Sequence, residues 1–146
     1  MNIIETVKRI LTECPKMSEF CNGLSYDFTE NTPGNFGLYS TGDTLVKTDI
    51  LGNQKRKHSF VLYANNQSFT DFERLANSTF LLELSYWLEN IKGVDLTVSD
   101  GFAEHPGKLL GLTSANGMLY NIPTGDINDG VTYQLQIYAD YSVERQ

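Results

Sequence analysis

Apolar residues recur at helical spacing in the first segment of the chain, residues 2–13 (NIIETVKRILTE). Three of them fall on one face of the helix: Ile3, Val7 and Ile10. Asn2 can cap the start of this helix, and Glu5 three residues later completes a capping-box pattern. Pro15 disfavours helical geometry in the residue before it, so we expect the helix to end there.

The pattern changes to strands and turns between residues 23 and 66. Two apolar runs, residues 44–51 and 58–64, flank a polar stretch and predict a β-hairpin with its turn near Gly52 and Asn53. Successive apolar residues in the second run point to alternate faces of its strand. Both faces therefore need cover, one from a helix and the other from a second layer or another subunit.

Residues 70–93 (TDFERLANSTFLLELSYWLENIKG) carry the strongest helical pattern. Thr70 and Glu73 form a second capping-box pattern, and Gly93 supplies a stop signal. The residues predicted to form the buried face are Phe72, Ala76, Phe80, Leu84, Trp87, Leu88 and Ile91. About 20 helical residues span roughly 30 Å, so we expect this helix to lie across a sheet.

The last third of the chain has strand periodicity after a polar loop at residues 100–108. Residues 109–122 predict a second hairpin, because Asn116 and Gly117 are the pair that a tight two-residue turn prefers. Residues 131–143 (VTYQLQIYADYSV) alternate between apolar and mostly polar positions, which indicates a long strand inside the sheet. The order of elements predicts one α+β domain, residues 1–146, with an antiparallel β-sheet and two α-helices on one face.

Composition narrows the class of protein. The chain has 146 residues, 40% of them hydrophobic, which suits one globular domain with a sizeable core. A formal net charge of -7 argues against general nucleic-acid binding. The sequence contains neither a membrane-spanning pattern nor a secretory signal, so we expect Cys14 and Cys21 to be free thiols.

Motifs of known chemistry are absent from the sequence: it has no Walker loop, dinucleotide fingerprint, HExxH or G-x-S-x-G. His58 and His105 could each serve a nucleophile such as Cys21 or Ser99, but no spacing supports this. The calcium-like sequence DINDG (Asp126, Asn128, Asp129) lacks the rest of that motif and reads as a polar turn. We therefore predict no catalytic residue, no metal and no cofactor.

Lys55, Arg56 and Lys57 form a basic segment in an acidic chain. One interpretation is a solvated strand edge, where lysine deters pairing with other edges. A second is contact with an acidic surface of another protein subunit, and a third is weak, salt-sensitive contact with nucleic acid. The second interpretation makes these three residues the candidate protein interface.

Three segments resemble a known family: residues 39–66 (YSTGDTLVKTDILGNQKRKHSFVLYANN), 74–89 (RLANSTFLLELSYWLE) and 133–141 (YQLQIYADY). Together they are similar to the minor capsid or tail-terminator (head-tail joining) proteins of long-tailed bacteriophages. The resemblance implies a structural virion protein, not an enzyme, that forms a ring, usually of six subunits, at the head-proximal end of the tail. Such a ring ends polymerisation of the tail-tube protein and presents the surface to which the filled head attaches.

The resemblance also implies the partners: other copies of the chain, the tail-tube protein and a head-completion or connector protein, with no membrane. The protein would be made in the bacterial cytoplasm and end in the virion. DNA would pass through the ring without specific binding, and an acidic lumen would let it slide. The alternatives are a head-completion or tail-tube protein, or a small enzyme or ligand-binding domain with a pocket at Asp100–His105.

Overall fold

A computed structural model describes residues 1–29, 34–66, 70–121 and 131–145. The helices and strands, in chain order, are α1 (Ile3–Thr12), α2 (Met17–Phe20), β1 (Gly23–Tyr26), β2 (Asn35–Thr48), β3 (Gln54–Asn66), α3 (Asp71–Leu88), β4 (Val94–Ser99), β5 (Glu104–Asn121) and β6 (Val131–Val143). The six strands form one sheet in the order β1-β2-β3-β6-β5-β4. This is the predicted α+β class. The sequence DINDG lies outside the described residues.

The two predicted helices begin where their capping residues place them. The Asn2 side chain accepts a hydrogen bond from Glu5 N, and Glu5 Oε1 accepts one from Asn2 N, so the predicted capping box at α1 is confirmed. At α3 the Thr70 hydroxyl accepts from Glu73 N at 3.1 Å. The buried apolar residues of both helices belong to one hydrophobic core with the inward apolar side chains of the sheet. No helix among the described residues has the length and apolar character needed to cross a membrane.

β3 and β6 form the centre of the sheet and pair antiparallel along their whole length, from Gln54↔Val143 to Asn66↔Val131. Every second residue of β6 is buried, so the prediction of a central strand with one apolar face is confirmed. β2 and β3 form the predicted hairpin, and its turn contains Gly52 with φ +88. β1 pairs with β2 in parallel, and is the exception to an otherwise antiparallel arrangement.

The prediction of a second hairpin at Asn116–Gly117 is wrong, because β5 runs through this point as one strand. The register moves from Ala115↔Gln136 to Met118↔Gln134, so two residues of β5 stand opposite one of β6. That arrangement is a β-bulge. A two-residue hairpin turn of the predicted type needs positive φ at both positions, whereas only Asn116 (φ 58) has it here. The side-chain amide of Asn116 donates a hydrogen bond to Gln136 Oε1 on β6 at 2.8 Å. This bond holds the bulge against β6.

The polar loop predicted at residues 100–108 is also shorter than expected. β5 begins at Glu104, so only residues 100–103 connect it to β4. β4 was not predicted as a strand, and it pairs with β5 from Val94↔Leu109 to Ser99↔Glu104. The Thr97 N–H on the outer edge of β4 donates to Met1 O, so the start of the chain protects part of that edge.

Candidate functional site

The basic segment divides between the two faces of the sheet. Arg56 and His58 point toward the inner face, which the helices cover farther along the strand, because Phe60 and Leu62 continue the same alternation into the core. Lys55 and Lys57 point to the outer face. Three adjacent cations in the sequence therefore do not form one patch, and the interface role of each remains a separate prediction.

Arg56 belongs to a polar cluster centred on a carboxylate of β2, which we call the Asp43 cluster (Ser40, Asp43, Arg56, His58 and Tyr141). Arg56 Nε donates to Asp43 Oδ1 at 2.7 Å. The Tyr141 hydroxyl donates to Asp43 Oδ2 at 2.5 Å, and His58 Nδ1 lies 2.8 Å from the same oxygen. One carboxylate therefore connects three strands, β2, β3 and β6.

The hydrogen bonds determine the electrostatics of this cluster. Burial alone would raise the pKa of the Asp43 carboxyl, but the bonds from Tyr141, Arg56 and His58 outweigh burial and hold that pKa below its ordinary value. Burial and the bond to Asp43 raise the pKa of the Tyr141 hydroxyl, and the bond with Asp43 raises that of Arg56. Asp43 is therefore the anion of the cluster at neutral pH.

A bulge in β2 brings Ser40 and Asp43 to the same face. The register moves from Ser40↔Phe60 to Gly42↔Ser59, and the extra residue places Asp43 opposite His58. Ser40 Oγ is hydrogen-bonded to His58 Nε2, while His58 Nδ1 meets Asp43. An imidazole that donates from Nδ1 to the carboxylate and accepts at Nε2 from the serine would have the connectivity of a Ser-His-Asp triad.

Ser40 also opens onto a cavity of about 300 Å³ beside the start of α1. The cavity is lined by Asn2, Ile4, Glu5, Tyr26, Asp27, Leu38 and Ser40. Leu38 and Ile4 give it an apolar side, and carboxylates of Glu5 and Asp27 give it a polar one. A small, partly apolar group in this cavity would therefore lie beside Ser40.

The second histidine has a structural role. Asp100 Oδ1 accepts hydrogen bonds from the N–H groups of Phe102 and Ala103 at 2.8 Å, and His105 Nε2 lies 2.9 Å from Asp100 Oδ2. The two backbone bonds and the His105 bond hold the pKa of Asp100 well below its ordinary value. The carboxylate is therefore already engaged within a tight turn, which gives a ligand little to bind at Asp100–His105.

The outer face of the sheet has no helix over it among the described residues. Tyr63 lies at its middle, with ring centroids 5.1 Å from Tyr39 and 5.0 Å from Tyr120. The charges on this face are nearly balanced, with Lys47, Lys55, Lys57 and Lys108 against Asp95, Glu104 and Asp140. The excess negative charge of the chain lies elsewhere, and this face is a broad surface of tyrosine, glutamine and lysine.

Helix α3 exposes apolar side chains on the face opposite the core. This outer stripe consists of Phe72, Leu75, Leu82 and Tyr86. Phe72 was predicted to be buried, but 80% of its surface is exposed, because position 72 lies off the buried face of the helix. That face consists of Asn77, Phe80, Leu81, Leu84 and Leu88. The 3-4 spacing of the stripe places its members along one line of the helix surface.

A second exposed apolar group lies at the β2–β3 turn. This turn patch consists of Leu45, Val46, Ile50 and Leu51. Four exposed apolar side chains within seven residues of one hairpin make this turn a candidate contact site for another protein. The structure thus offers two apolar patches and one tyrosine-rich face, each available to a partner.

Comparison with known proteins does not identify a family for this chain. No protein-family model and no curated protein sequence matches the chain. Across the described ranges, no three His, Cys, Asp or Glu side chains are arranged to hold a metal ion.

Cys14 is buried and Cys21 half-buried, and both are free thiols. Burial, with the nearby Glu83 carboxylate, raises the pKa of Cys14 to about 11, so it is a poor nucleophile.

The Asp43 cluster was not predicted from the sequence, because its members lie far apart in the chain, at positions 40, 43, 56, 58 and 141. Part of the cluster could have been predicted. The hairpin turn at Gly52 and Asn53 implies a register between the two strands, and that register brings residue 43 near residue 58. The bulges in β2 and the pairing of β3 with β6 were not visible in the sequence pattern. They decide which side chains share a face.

Proposed function

We propose that this chain is a structural virion protein that forms a ring at the head-proximal end of a phage tail. In that role it ends polymerisation of the tail-tube protein and presents the surface to which the head attaches. The proposal rests on the resemblance of residues 39–66, 74–89 and 133–141 to minor capsid and tail-terminator proteins. The α+β fold, with helices on one face of the sheet, agrees with the fold expected of that family.

The observation that carries the proposal is the apolar outer stripe of α3. A helix that packs on a core usually turns polar side chains to solvent. Phe72 and Leu75 instead expose 80% and 67% of their surfaces, in a chain whose core is already filled from the other side of the same helix. Such a surface supports a protein that is completed by association with other chains.

The proposed partners are those that the resemblance implies, and the three exposed surfaces are the places where we propose that they bind. We propose that copies of the chain contact one another, and that the faces remaining free in the ring meet the tail-tube protein on one side and a head-completion or connector protein on the other. The tyrosines of the outer sheet face, Tyr39, Tyr63 and Tyr120, suit such contacts, because tyrosine is enriched at protein interfaces. The proposed location is the virion, after synthesis in the bacterial cytoplasm.

Tail-tube assembly in vitro tests this function. The cognate tail-tube protein is allowed to polymerise with increasing amounts of the purified chain, and tube lengths are measured by negative-stain electron microscopy. A terminator shortens the tubes in proportion to its concentration and appears as a cap at one end. Unchanged tube lengths would contradict the proposal. Long cylinders formed by the chain alone would instead identify a tail-tube protein.

A second candidate function is acyl transfer, and the Ser40–His58–Asp43 connectivity favours it. In that case His58 would take the proton of Ser40 as its oxygen attacks a carbonyl carbon, and would give that proton to the leaving group as the bond between this group and the carbon breaks. A fluorophosphonate probe tests this, because an activated serine displaces fluoride and becomes covalently phosphonylated. Labelling that Ser40→Ala abolishes and Ser59→Ala preserves would support an enzyme. No labelling of the native chain would leave the cluster a structural one.

A further inference from the structure

Hydrogen bonds within the β2–β3 turn hold the tip of the turn patch in an exposed position. Asp49 Oδ1 accepts hydrogen bonds from Leu51 N and Asn53 N, both at 2.9 Å, and Gly52 N donates to Asp49 O at 3.1 Å. Ile50, at the tip of this ordered turn, is fully exposed. A rigid apolar tip binds with little loss of conformational freedom, which is the property of an interface anchor.

The chain also has an apolar groove of matching character between α2 and α3, with a volume of about 260 Å³. The α2–α3 groove is lined by Lys16, Glu19, Phe20, Phe72, Leu75, Ala76, Thr79, Phe80 and Glu83. Its floor is formed by the stacked rings of Phe20 and Phe80, whose centroids are 4.4 Å apart. Phe72 and Leu75 of the outer stripe form one of its walls.

The turn patch and the α2–α3 groove lie at opposite ends of the molecule. The turn precedes Gln54, the first residue of β3, while Asn66, the last residue of β3, shares a second cavity with Phe20 and Phe72. A strand of 13 residues spans about 40 Å at 3.3 Å per residue. The patch cannot reach the groove of its own chain, but it can reach the groove of another copy.

Both surfaces have charges of both signs, with an excess of carboxylates at the groove. Lys47 and Lys55 face each other across the hairpin beside the turn patch, where Asp49 and Glu144 are the neighbouring carboxylates. At the groove, Glu83 is paired with Lys16 at 3.0 Å, and Glu19 adds a further negative charge on the rim. Rim charges of this kind mainly guide encounter and exclude wrong partners, while the apolar centre supplies the affinity.

We propose that the turn patch of one copy docks in the α2–α3 groove of the next copy, and that this head-to-tail contact builds the ring. The inference rests on the proposed ring function and identifies the surfaces that would close it. Because the two surfaces differ, the contact is heterologous, and repeated copies close into a ring when the rotation between neighbours permits. Ile50 is the anchor, and Phe72 and Leu75 form the wall that receives it.

Two variants and their mixture test the contact. Ile50→Asp damages the patch and leaves the groove intact, whereas Leu75→Asp does the reverse. In each variant alone, the dissociation constant for self-association should rise about tenfold or more, because a buried charge at an interface anchor is poorly tolerated. Each variant should therefore be monomeric at concentrations where the native chain assembles. Mixed in equal amounts, they retain one intact patch and one intact groove, so they should form a 1:1 dimer that grows no further.

Native mass spectrometry measures the number of chains in each complex. One variant is labelled with ¹⁵N, so that the mass also gives the composition of each complex. Ile50→Leu and Ser78→Asp are the matched controls: the first keeps an apolar tip, and the second adds the same charge at an exposed position of the same helix, outside both the groove and the outer stripe. Both controls should assemble like the native chain. Circular dichroism and thermal unfolding establish that each variant is folded.

The other results each overturn the contact. Assembly of Ile50→Asp or Leu75→Asp alone would show that the damaged surface is not used. Two monomeric variants that remain monomeric when mixed would exclude the head-to-tail pairing of these surfaces. A native chain that is monomeric up to millimolar concentration would also overturn it, whereas the terminator role would still be judged by the tail-tube assay, since the tube can act as a template.

Discussion

The two faces of α3 are built from similar apolar residues but have opposite environments. On the inner face Phe80, Leu84 and Leu88 are almost completely buried against the sheet. On the outer face Phe72 and Leu75 are mostly exposed. The inner residues therefore stabilise the fold, and we infer that the outer residues serve association. Hydrophobicity alone, without the direction of each side chain, does not separate these two roles.

The same division holds for the basic segment. Arg56 lies on the inner face and is bound to Asp43, while Lys57 lies on the outer face with its Nζ 5.8 Å from the Tyr138 ring. Neighbours in the sequence thus have different tasks, and substitutions that separate stability from association will test the division.

Leu84→Ala should cause the largest loss of stability. Leu84 is fully buried on the inner face of α3, and removing a buried leucine side chain leaves a cavity that costs about 2–5 kcal/mol. Urea unfolding of the variant should show a correspondingly lower free energy of unfolding. A loss below about 1 kcal/mol would mean that α3 is not packed on the core as described.

Asp43→Asn should destabilise the chain by about 1–3 kcal/mol, because the hydrogen-bond donors around it lose a charged acceptor. The pKa of Asp43 is lowered in the folded state, so its contribution is present above the unfolded pKa of about 4 and is lost as pH falls through the folded value. The free energy of unfolding, measured between pH 2 and 7, should therefore depend less on pH in the variant. An identical pH profile would contradict the assignment.

Arg56→Ala and Lys57→Ala form a matched pair on adjacent residues. Arg56→Ala should lower the free energy of unfolding by about 1 kcal/mol, since it removes the bond of Arg56 Nε to Asp43. Lys57→Ala should change it by less than about 0.5 kcal/mol, as is usual for surface substitutions. Equal losses in thermal unfolding would show that the two faces of β3 are not distinct here.

Phe72→Ser on the outer stripe should have the smallest effect on stability. Because most of its side chain is in water, we expect a change within about 0.5 kcal/mol when unfolding is followed at a concentration where the native chain is monomeric. Sedimentation velocity at higher concentration should show weaker self-association of the same variant. A large loss of stability would place Phe72 in the core, as its helical spacing alone predicts.

Local signals were sufficient for much of the fold. The capping residues Asn2 and Thr70 mark the starts of α1 and α3, and the alternation in residues 131–143 identifies the central strand. The β2–β3 hairpin follows from its turn residues. Each of these features depends on side chains close together in the sequence, where propensity and periodicity carry the information.

Non-local features account for the errors. Asn116 has the positive φ that the hairpin prediction required, but β6 is long enough to pair with β5 on both sides of it, so the chain continues as a bulged strand. The Asp43 cluster depends on the bulge after Ser40 and on β6 as the neighbour of β3. Pairing between distant strands decides these points, and a single sequence does not encode it in any local pattern.

The most direct test of a ring-forming chain is native mass spectrometry across a concentration series, with negative-stain images of the same samples. The proposed contact between turn patch and α2–α3 groove predicts one closed species, expected to contain six copies, with a central channel in the images. Open filaments of unlimited length, or a monomer at every concentration, would contradict it.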